Sequence, residues 1–377
     1  MKIAIIIDSI KLGGGAEKNS VVLANLLAKE SIETVLITFN SYENEYKYEG
    51  SRISFYEETE SNFIKKLTKT FKRFFIIKRL CKEQKITHIV SFLEQANTYT
   101  IITKIVLRNK PKLIVSVRNN PAVLSFKRKF LILFLYRFAD LVVSVSKSIE
   151  IELSNKYCLN NVTTIYNPID IDQVQSKGKE LLSEKYSKLF SEEAHMFVNI
   201  GRLHKQKGQA NLIRDFAEVC KQVPTAKLLI IGEGSERTCL QQLITSLLMD
   251  KNIFLLGQQE NIYPFLKHAD CYICSSLWEG FPNVLLEAAA MGLYIISTDC
   301  STGPREIIAP DKLGEEIKYP YRVSGSSLVR TVGKRNSLTM YKEIIDVINL
   351  NLTKKQAINV RIYNKEVCVN AWQKVLY

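Results

Sequence analysis

Short apolar runs alternate with longer amphipathic stretches from one end of the chain to the other. In the first half "KIAIII", "TVLITF", "ITHIVSF", "KLIVSV" and "LVVSV" read as strands, with helices such as "AEKNSVVLANLLAKE" between them. A second series, "HMFVNIG", "AKLLIIG", "NIFLLG", "DCYICSS", "LYIIST" and "GEEIKY", alternates with "QANLIRDFAEVCKQV" and "SERTCLQQLITSLLMD". Continuous apolar runs suit strands buried on both faces, and their alternation with helices predicts parallel sheets covered by helices. Between the series, in "TTIYNPIDIDQVQSKGK", Pro168 ends one pattern and a polar stretch follows, as at a domain boundary. The simplest fold is α/β with two doubly wound domains, residues 1–172 and 173–360. Residues 361–377 form a terminal helix whose Trp372 and Val375 need a surface to pack on.

With 377 residues and 46% hydrophobic content, the chain can build two cores. "MKIAIIIDSI" ends its apolar run at Asp8 without a small-residue cleavage site, and "FLILFLY" falls far short of the roughly 20 residues that span a bilayer. A soluble or peripheral protein is expected. The eight cysteines are scattered and read as reduced, mostly buried thiols of a cytosolic protein. The single C-x-x-C, "CYIC", lies in a strand, which points Cys271 and Cys274 to opposite faces and disfavours a metal or redox pair. The net charge of +14 implies an anionic partner: nucleic acid, nucleotide or membrane surface.

Ligands of doubly wound sheets sit beyond the carboxyl ends of the strands, where helix N-termini present free N–H groups. Three motifs fall at such junctions. In "SSLWEGFPNVLLEAAAMG", Gly280 permits a tight turn, Pro282 suits a helix start, and the amides of Asn283 and Val284 are placed for an anion. Glu279 in the loop and Glu287 inside the helix are suited to accept hydrogen bonds from sugar hydroxyls. The plain alternative is that Glu279 caps a helix and Glu287 lies on a solvated face. In "NIGRLHKQKGQANLI", Arg202, Lys207 and a helix start at Gly208 converge on a diphosphate, unless the loop is merely a solvated basic one. In "DSIKLGGGAEKN", Gly13, Gly14 and Gly15 let backbone approach a ligand. Neither this run nor "GEGSER" has the G-x-G-x-x-G spacing, so a nicotinamide dehydrogenase is disfavoured.

Together "GGGAEKN", "GRLHKQKGQANLI", "IIGEGSER", "SSLWEGFPNVLLEAAAMG" and "STDCSTGPREII" resemble the retaining glycosyltransferases of family 4. The resemblance covers nearly the whole chain, most specifically residues 201–308, and points to the bacterial polysaccharide and glycan-assembly branch. It implies the GT-B architecture, two facing Rossmann-like domains with the C-terminal helix crossing back to the first. Residues 1–172 would bind the acceptor and residues 173–360 the nucleotide-sugar donor. Glu279 and Glu287 match the family's E-x(7)-E pair, the first near the donor sugar and the second on the ribose. Arg202 and Lys207 match the pair that grips the diphosphate. Gly14, Gly15, Gly232, Gly234, Gly280, Phe281, Pro282, Asn283 and Val284 complete the donor site. Many relatives carry a histidine near the donor sugar where this chain has Arg118 and Asn119 in "LIVSVRNNP". Those two become acceptor-side candidates, and the histidine's role does not pass to His88, His195, His204 or His268. No role follows for Arg305.

The implied reaction moves a sugar, from a UDP-sugar, to a glycan hydroxyl with retention, the departing phosphate taking the acceptor proton. No cofactor or metal is expected. "DID" at Asp170–Asp172 has a metal-binding spacing but sits in the linker, where an aspartate suits a helix cap. The runner-up within the enzyme class is another GT-B enzyme such as a nucleotide-sugar epimerase, or a transferase acting on a soluble acceptor.

Residues 61–82 hold no acid, and their cations interleave with Phe63, Ile64, Leu67, Phe71, Phe74 and Phe75. Residues 95–139 are acid-free as well and include "SFKRKFLILFLYRF". Basic amphipathic segments of this kind, over 63–82 and 121–139, suit an anionic membrane surface. The expected place is the cytoplasmic face of the plasma membrane, with a lipid-linked glycan as acceptor; the alternative is ordinary helices covering the first sheet. A nucleic-acid-binding protein is the rival from another class, resting on net charge and Phe interleaving, and no nucleic-acid partner is expected.

Overall fold

The computed structural model describes residues 1–55, 63–107, 111–190, 194–331, 340–352 and 358–377, with side chains described from residue 71 onward in the helix Phe63–Glu83. The chain divides into two units. The first comprises Met1–Pro168 and Lys365–Tyr377, the second Ile169–Asn364.

The first unit holds seven strands: β1 (Lys2–Ile7), β2 (Glu33–Thr38), β3 (Ser51–Ser54), β4 (His88–Phe92), β5 (Lys112–Val117), β6 (Leu141–Ser144) and β7 (Val162–Thr164). They lie in the order β3-β2-β1-β4-β5-β6-β7, and every neighbouring pair is parallel. The strand order reverses between β1 and β4, so the carboxyl edge there is the usual ligand crevice of such a sheet. After the first residue, β1 and β2 are buried throughout, which is why they read as unbroken apolar runs. Ile3, Ile5 and Ile7 join a core with Leu23 and Leu27 of the helix Gly15–Lys29 and with Trp372 and Leu376 of the helix Lys365–Leu376.

The second unit repeats the plan with β8 (Met196–Ile200), β9 (Lys227–Ile231), β10 (Ile253–Gly257), β11 (Cys271–Cys274), β12 (Tyr294–Thr298), β13 (Tyr321–Val323) and β14 (Ser326–Val329). Their order is β10-β9-β8-β11-β12-β14-β13, parallel except for the β13/β14 hairpin. The helix Gln209–Gln222 turns Leu212, Phe216 and Val219 onto this sheet at helical spacing. Each such burial is worth about 1.5–3 kcal/mol.

"GEEIKY", expected as a strand, is not one. Gly314 has a left-handed φ of 83°, and the Glu315 carbonyl accepts from the Arg305 guanidinium, leaving an irregular loop. The sheet is completed by β14, in which Leu328 and Val329 are buried beside two buried serines. Asp170 caps the helix Ile171–Lys177, its carboxylate accepting from the Gln173 amide at 3.0 Å.

Candidate active site

The site in the second unit grows from the ends of β8 and β11. After β8 the chain makes one 3-10 turn, Lys205–Lys207, and Gly208 starts the next helix at φ 65°. A Cβ on Gly208 would overlap the Ser275 carbonyl oxygen, so only glycine brings this loop against the end of β11. The two loops are laced together. Ser275 Oγ donates to the Lys207 carbonyl at 2.7 Å, the Leu277 amide to Gln206 O at 2.7 Å, and Gln206 Nε2 to Trp278 O at 2.9 Å.

This lacing places Lys207 Nζ 2.5 Å from Glu279 Oε1, and Ser276 Oγ donates to the same oxygen at 2.5 Å. The Glu279 side chain is 8% exposed and that of Lys207 23%. Burial alone would lower the Lys207 pKa, but the charge and hydrogen bond of Glu279 outweigh it and raise it, so the ammonium stays charged. Glu279 is therefore not a helix cap. It is a buried carboxylate held by a cation and a hydroxyl.

The "EGFPN" turn is fixed from behind. Thr302 Oγ1 donates to the Glu279 carbonyl, Thr298 Oγ1 to Ser276 O at 2.5 Å, and Phe281 packs its ring 5.4 Å from that of Tyr363. The helix Asn283–Ala290 then begins one residue after Pro282. Glu287, 4% exposed, points inward and not to solvent, and the Tyr263 hydroxyl donates to it at 3.3 Å. One cleft is lined by Asn199, Ile200, Lys207, Tyr272, Cys274, Ser276, Glu279, Pro282, Asn283 and Val284.

Of the other expected residues, Arg202, Gly232, Gly234 and Gly280 belong to the second unit. Arg202 is exposed, and its positive charge repels the like charge of Lys207. Gly232 and Gly234 sit where the loop after β9 meets the loop after β8; a Cβ on either would overlap the carbonyl of Gly201 or Leu203. Gly280 is buried in the turn against Gly303. In the first unit the Gly13 amide donates to Tyr46 OH at 3.2 Å, Gly14 precedes the helix Gly15–Lys29, and Gly15 opens it. Arg118 is folded inward beneath the end of β5, donating to Asn167 Oδ1, and Asn119 Nδ2 donates to Glu94 Oε1 at 3.0 Å. Cys271 and Cys274 are both buried, their thiols pushed upward by burial.

Sequence reasoning missed Ser276, Thr302 and Asn199. Asn199 is 4% exposed in the cleft wall, and its Oδ1 has no partner among the described residues. The available signal was a polar residue interrupting the apolar run "HMFVNIG". Arg305 also gains a place: it grips Asp299 through Nε at 3.0 Å and ties down the carbonyls of Lys312 and Glu315.

The family model described as "Glycosyltransferase Family 4" matches residues 13–173, and that described as "Glycosyl transferases group 1" matches residues 183–321. An uncharacterized glycosyltransferase of Methanocaldococcus jannaschii is 37% identical over 306 residues, covering 73% of this chain and 75% of that one. The N-acetylgalactosamine-N,N'-diacetylbacillosaminyl-diphospho-undecaprenol 4-alpha-N-acetylgalactosaminyltransferase of Campylobacter jejuni is 30% identical over 328 residues, covering 83% and 85%. Among solved structures, Anabaena HepE in complex with UDP-glucose superposes with a TM-score of 0.77 at 18% identity, covering 100% of this chain and 99% of that one. The fold is that of the GT-B enzymes. The chain belongs to glycosyltransferase family 4, the group 1 glycosyl transferases.

Proposed function

We propose that the protein transfers a sugar from a UDP-sugar to a hydroxyl of a lipid-linked glycan, with retention of the anomeric configuration, in bacterial cell-surface glycan synthesis. The observation that carries this reading is the buried Lys207–Glu279–Ser276 cluster beside Pro282, Asn283 and Val284, with Glu287 one turn further along the same helix. Arg202 and Lys207 face the charge that develops on the departing diphosphate, and fixed cations of this kind contribute most where charge grows in the transition state. Glu287 receives ribose hydroxyls. Glu279 orients the sugar, with Lys207 and Ser276 holding the carboxylate through Oε1. The leaving phosphate takes the acceptor proton, and no metal is required. The UDP-glucose bound by HepE and the diphospho-undecaprenol acceptor in the name of the Campylobacter relative support this choice of donor and acceptor.

An anionic membrane surface at the cytoplasmic leaflet completes the reading. Phe126, Phe130, Phe134 and Phe138 recur every four residues and are all 45% or more exposed, flanked by Lys127, Arg128, Lys129 and Arg137. Phe71 and Phe75 are exposed on the helix Phe63–Glu83, while the side chains of 63–70 lie outside the described residues. No helix among the described residues is long and apolar enough to cross a membrane.

The test is transfer from labelled UDP-sugars to a polyprenyl-diphosphate glycan, with the product's anomeric coupling read by NMR and the reaction repeated in EDTA. An axial product from an axial donor, formed equally in EDTA, is expected. An inverted product, a covalent sugar on Glu279, or loss in EDTA restored by magnesium contradicts the mechanism. Failure to co-sediment with anionic liposomes at low salt contradicts the membrane assignment.

A further inference from the structure

Arg118 and Arg73 are the two buried arginines described, and of these only Arg73 has a carboxylate partner, as do the more exposed Arg305 and Arg322. Arg73 donates to Asp8 at 2.7 Å, Arg305 pairs with Asp299, and Arg322 reaches Glu343 at 2.7 Å. Arg118 is 8% exposed and pairs with no carboxylate among the described residues. Its partners are neutral: Asn167 Oδ1, Ser116 Oγ at 3.5 Å, and the face of Phe92 with the ring centroid 5.3 Å from Cζ. The nearby Cys368 thiol, on the helix Lys365–Leu376, is pushed up to about 12 by burial and supplies no negative charge. Burial without a counter-charge also lowers Arg118 itself, to about 9.

A buried charge is ordinarily paired, because the cost of taking it from water is otherwise unmet. The guanidinium keeps more N–H donors than Asn167 and Ser116 can accept. It also lies at the carboxyl edge of the sheet, beside the ends of β4 and β5, where units of this topology receive ligands.

We infer that Arg118, with Asn167 and Phe92, forms an oxyanion subsite of the first unit that takes a phosphate-class group. The inference rests on the transferase reading in one respect: the group then comes from the diphosphate of the lipid-linked acceptor. The shared chemistry also admits the donor's diphosphate, and the experiment separates the two. Guanidinium is the suitable cation here, since its planar fork meets two oxygens at once.

The experiment is titration of inorganic pyrophosphate into the full chain by calorimetry, with and without saturating UDP, for the wild type, Arg118→Met and Arg118→Lys, with thermal unfolding of each unliganded protein. The wild type is expected to bind pyrophosphate in the presence of UDP. Arg118→Met is expected to lose about tenfold or more in that affinity, to hold UDP within about twofold, and to melt at or above the wild-type temperature, because an unpaired buried charge has been removed. Arg118→Lys is expected to retain weakened binding. Complete displacement of pyrophosphate by UDP would assign the oxyanion to the donor site and overturn the inference. So would an Arg118→Met protein that binds pyrophosphate as the wild type does, or one that melts lower or fails to fold, since Arg118 would then be a strut. A wild type that ignores UDP yet binds pyrophosphate through Arg118 would sink the UDP reading and leave the subsite standing.

Discussion

Replacing Lys207 with methionine keeps most of the side chain's length and removes its charge, so it isolates what the ammonium does for Glu279. The carboxylate is 8% exposed and receives Lys207 Nζ and Ser276 Oγ, each at 2.5 Å. Without the ammonium, one hydroxyl is left to compensate a buried negative charge. Breaking a buried pair from one side costs about 3–5 kcal/mol. The opposite substitution, Glu279→Gln, leaves an ammonium whose side chain is 23% exposed and closer to water. Its cost is expected nearer about 1–3 kcal/mol. The double variant buries neither charge, so the two effects should fall short of additivity by about 1–3 kcal/mol. Turnover should behave differently: Lys207→Met should lose about 10²–10³ in kcat, as when one transition-state donor is removed, and the double variant should not recover it. Urea denaturation gives the stabilities and initial rates with UDP-sugar give the turnover. Stability effects that add within about 0.5 kcal/mol would refute the pairing, and a double variant that regains turnover would refute the role on the diphosphate.

Gly208→Ala should destabilise the second unit by more than about 1–2 kcal/mol, the strain of a left-handed alanine, because its Cβ also overlaps Ser275 O; an unchanged urea midpoint would contradict the loop contact. Asp215, 2% exposed, accepts from the Met340 amide at 2.7 Å, and burial raises it to about 6. With the folded pKa above the unfolded one, its contribution is fully present at low pH and is lost as pH rises through about 6. Asp215→Asn should therefore be more stable than the wild type at pH 8, by up to about 3 kcal/mol, with the difference vanishing toward pH 4. A pH-independent difference would contradict this. Trp372→Ala should cost about 3–5 kcal/mol in the first unit, read by thermal unfolding, because Trp372 is 3% exposed in its core.

The central strands were legible because burial on both faces writes them as unbroken apolar runs, as in "KIAIII" and "AKLLIIG". The strands nearer the edges were not. β3, "SRIS", and β7, "VTT", have no fully buried residue and so no apolar run to read. β14 hides two buried serines that look like a turn, and "GEEIKY" imitates a strand where Gly314 and the Arg305 grip forbid one. At the site, the spacing of Glu279 and Glu287 stood out. The pairing of Lys207 with Glu279 joins positions 72 apart, which a local pattern cannot carry. Ser276 and Thr302 are ordinary hydroxyls until the fold brings them to Glu279. The inward turn of Arg118, buried among neutral partners, leaves no mark on composition or periodicity.

The most direct test of the donor site is thermal unfolding of the wild type, Glu287→Ala and Arg202→Ala with UDP, GDP and ADP in turn. At 100 times its dissociation constant a ligand adds about 2.7 kcal/mol to stability. Selective stabilisation of the wild type by UDP, lost in both variants, is the predicted result. Equal stabilisation of all three proteins by UDP, or no nucleotide effect on the wild type, would contradict the placement of the donor at the ends of β8 and β11.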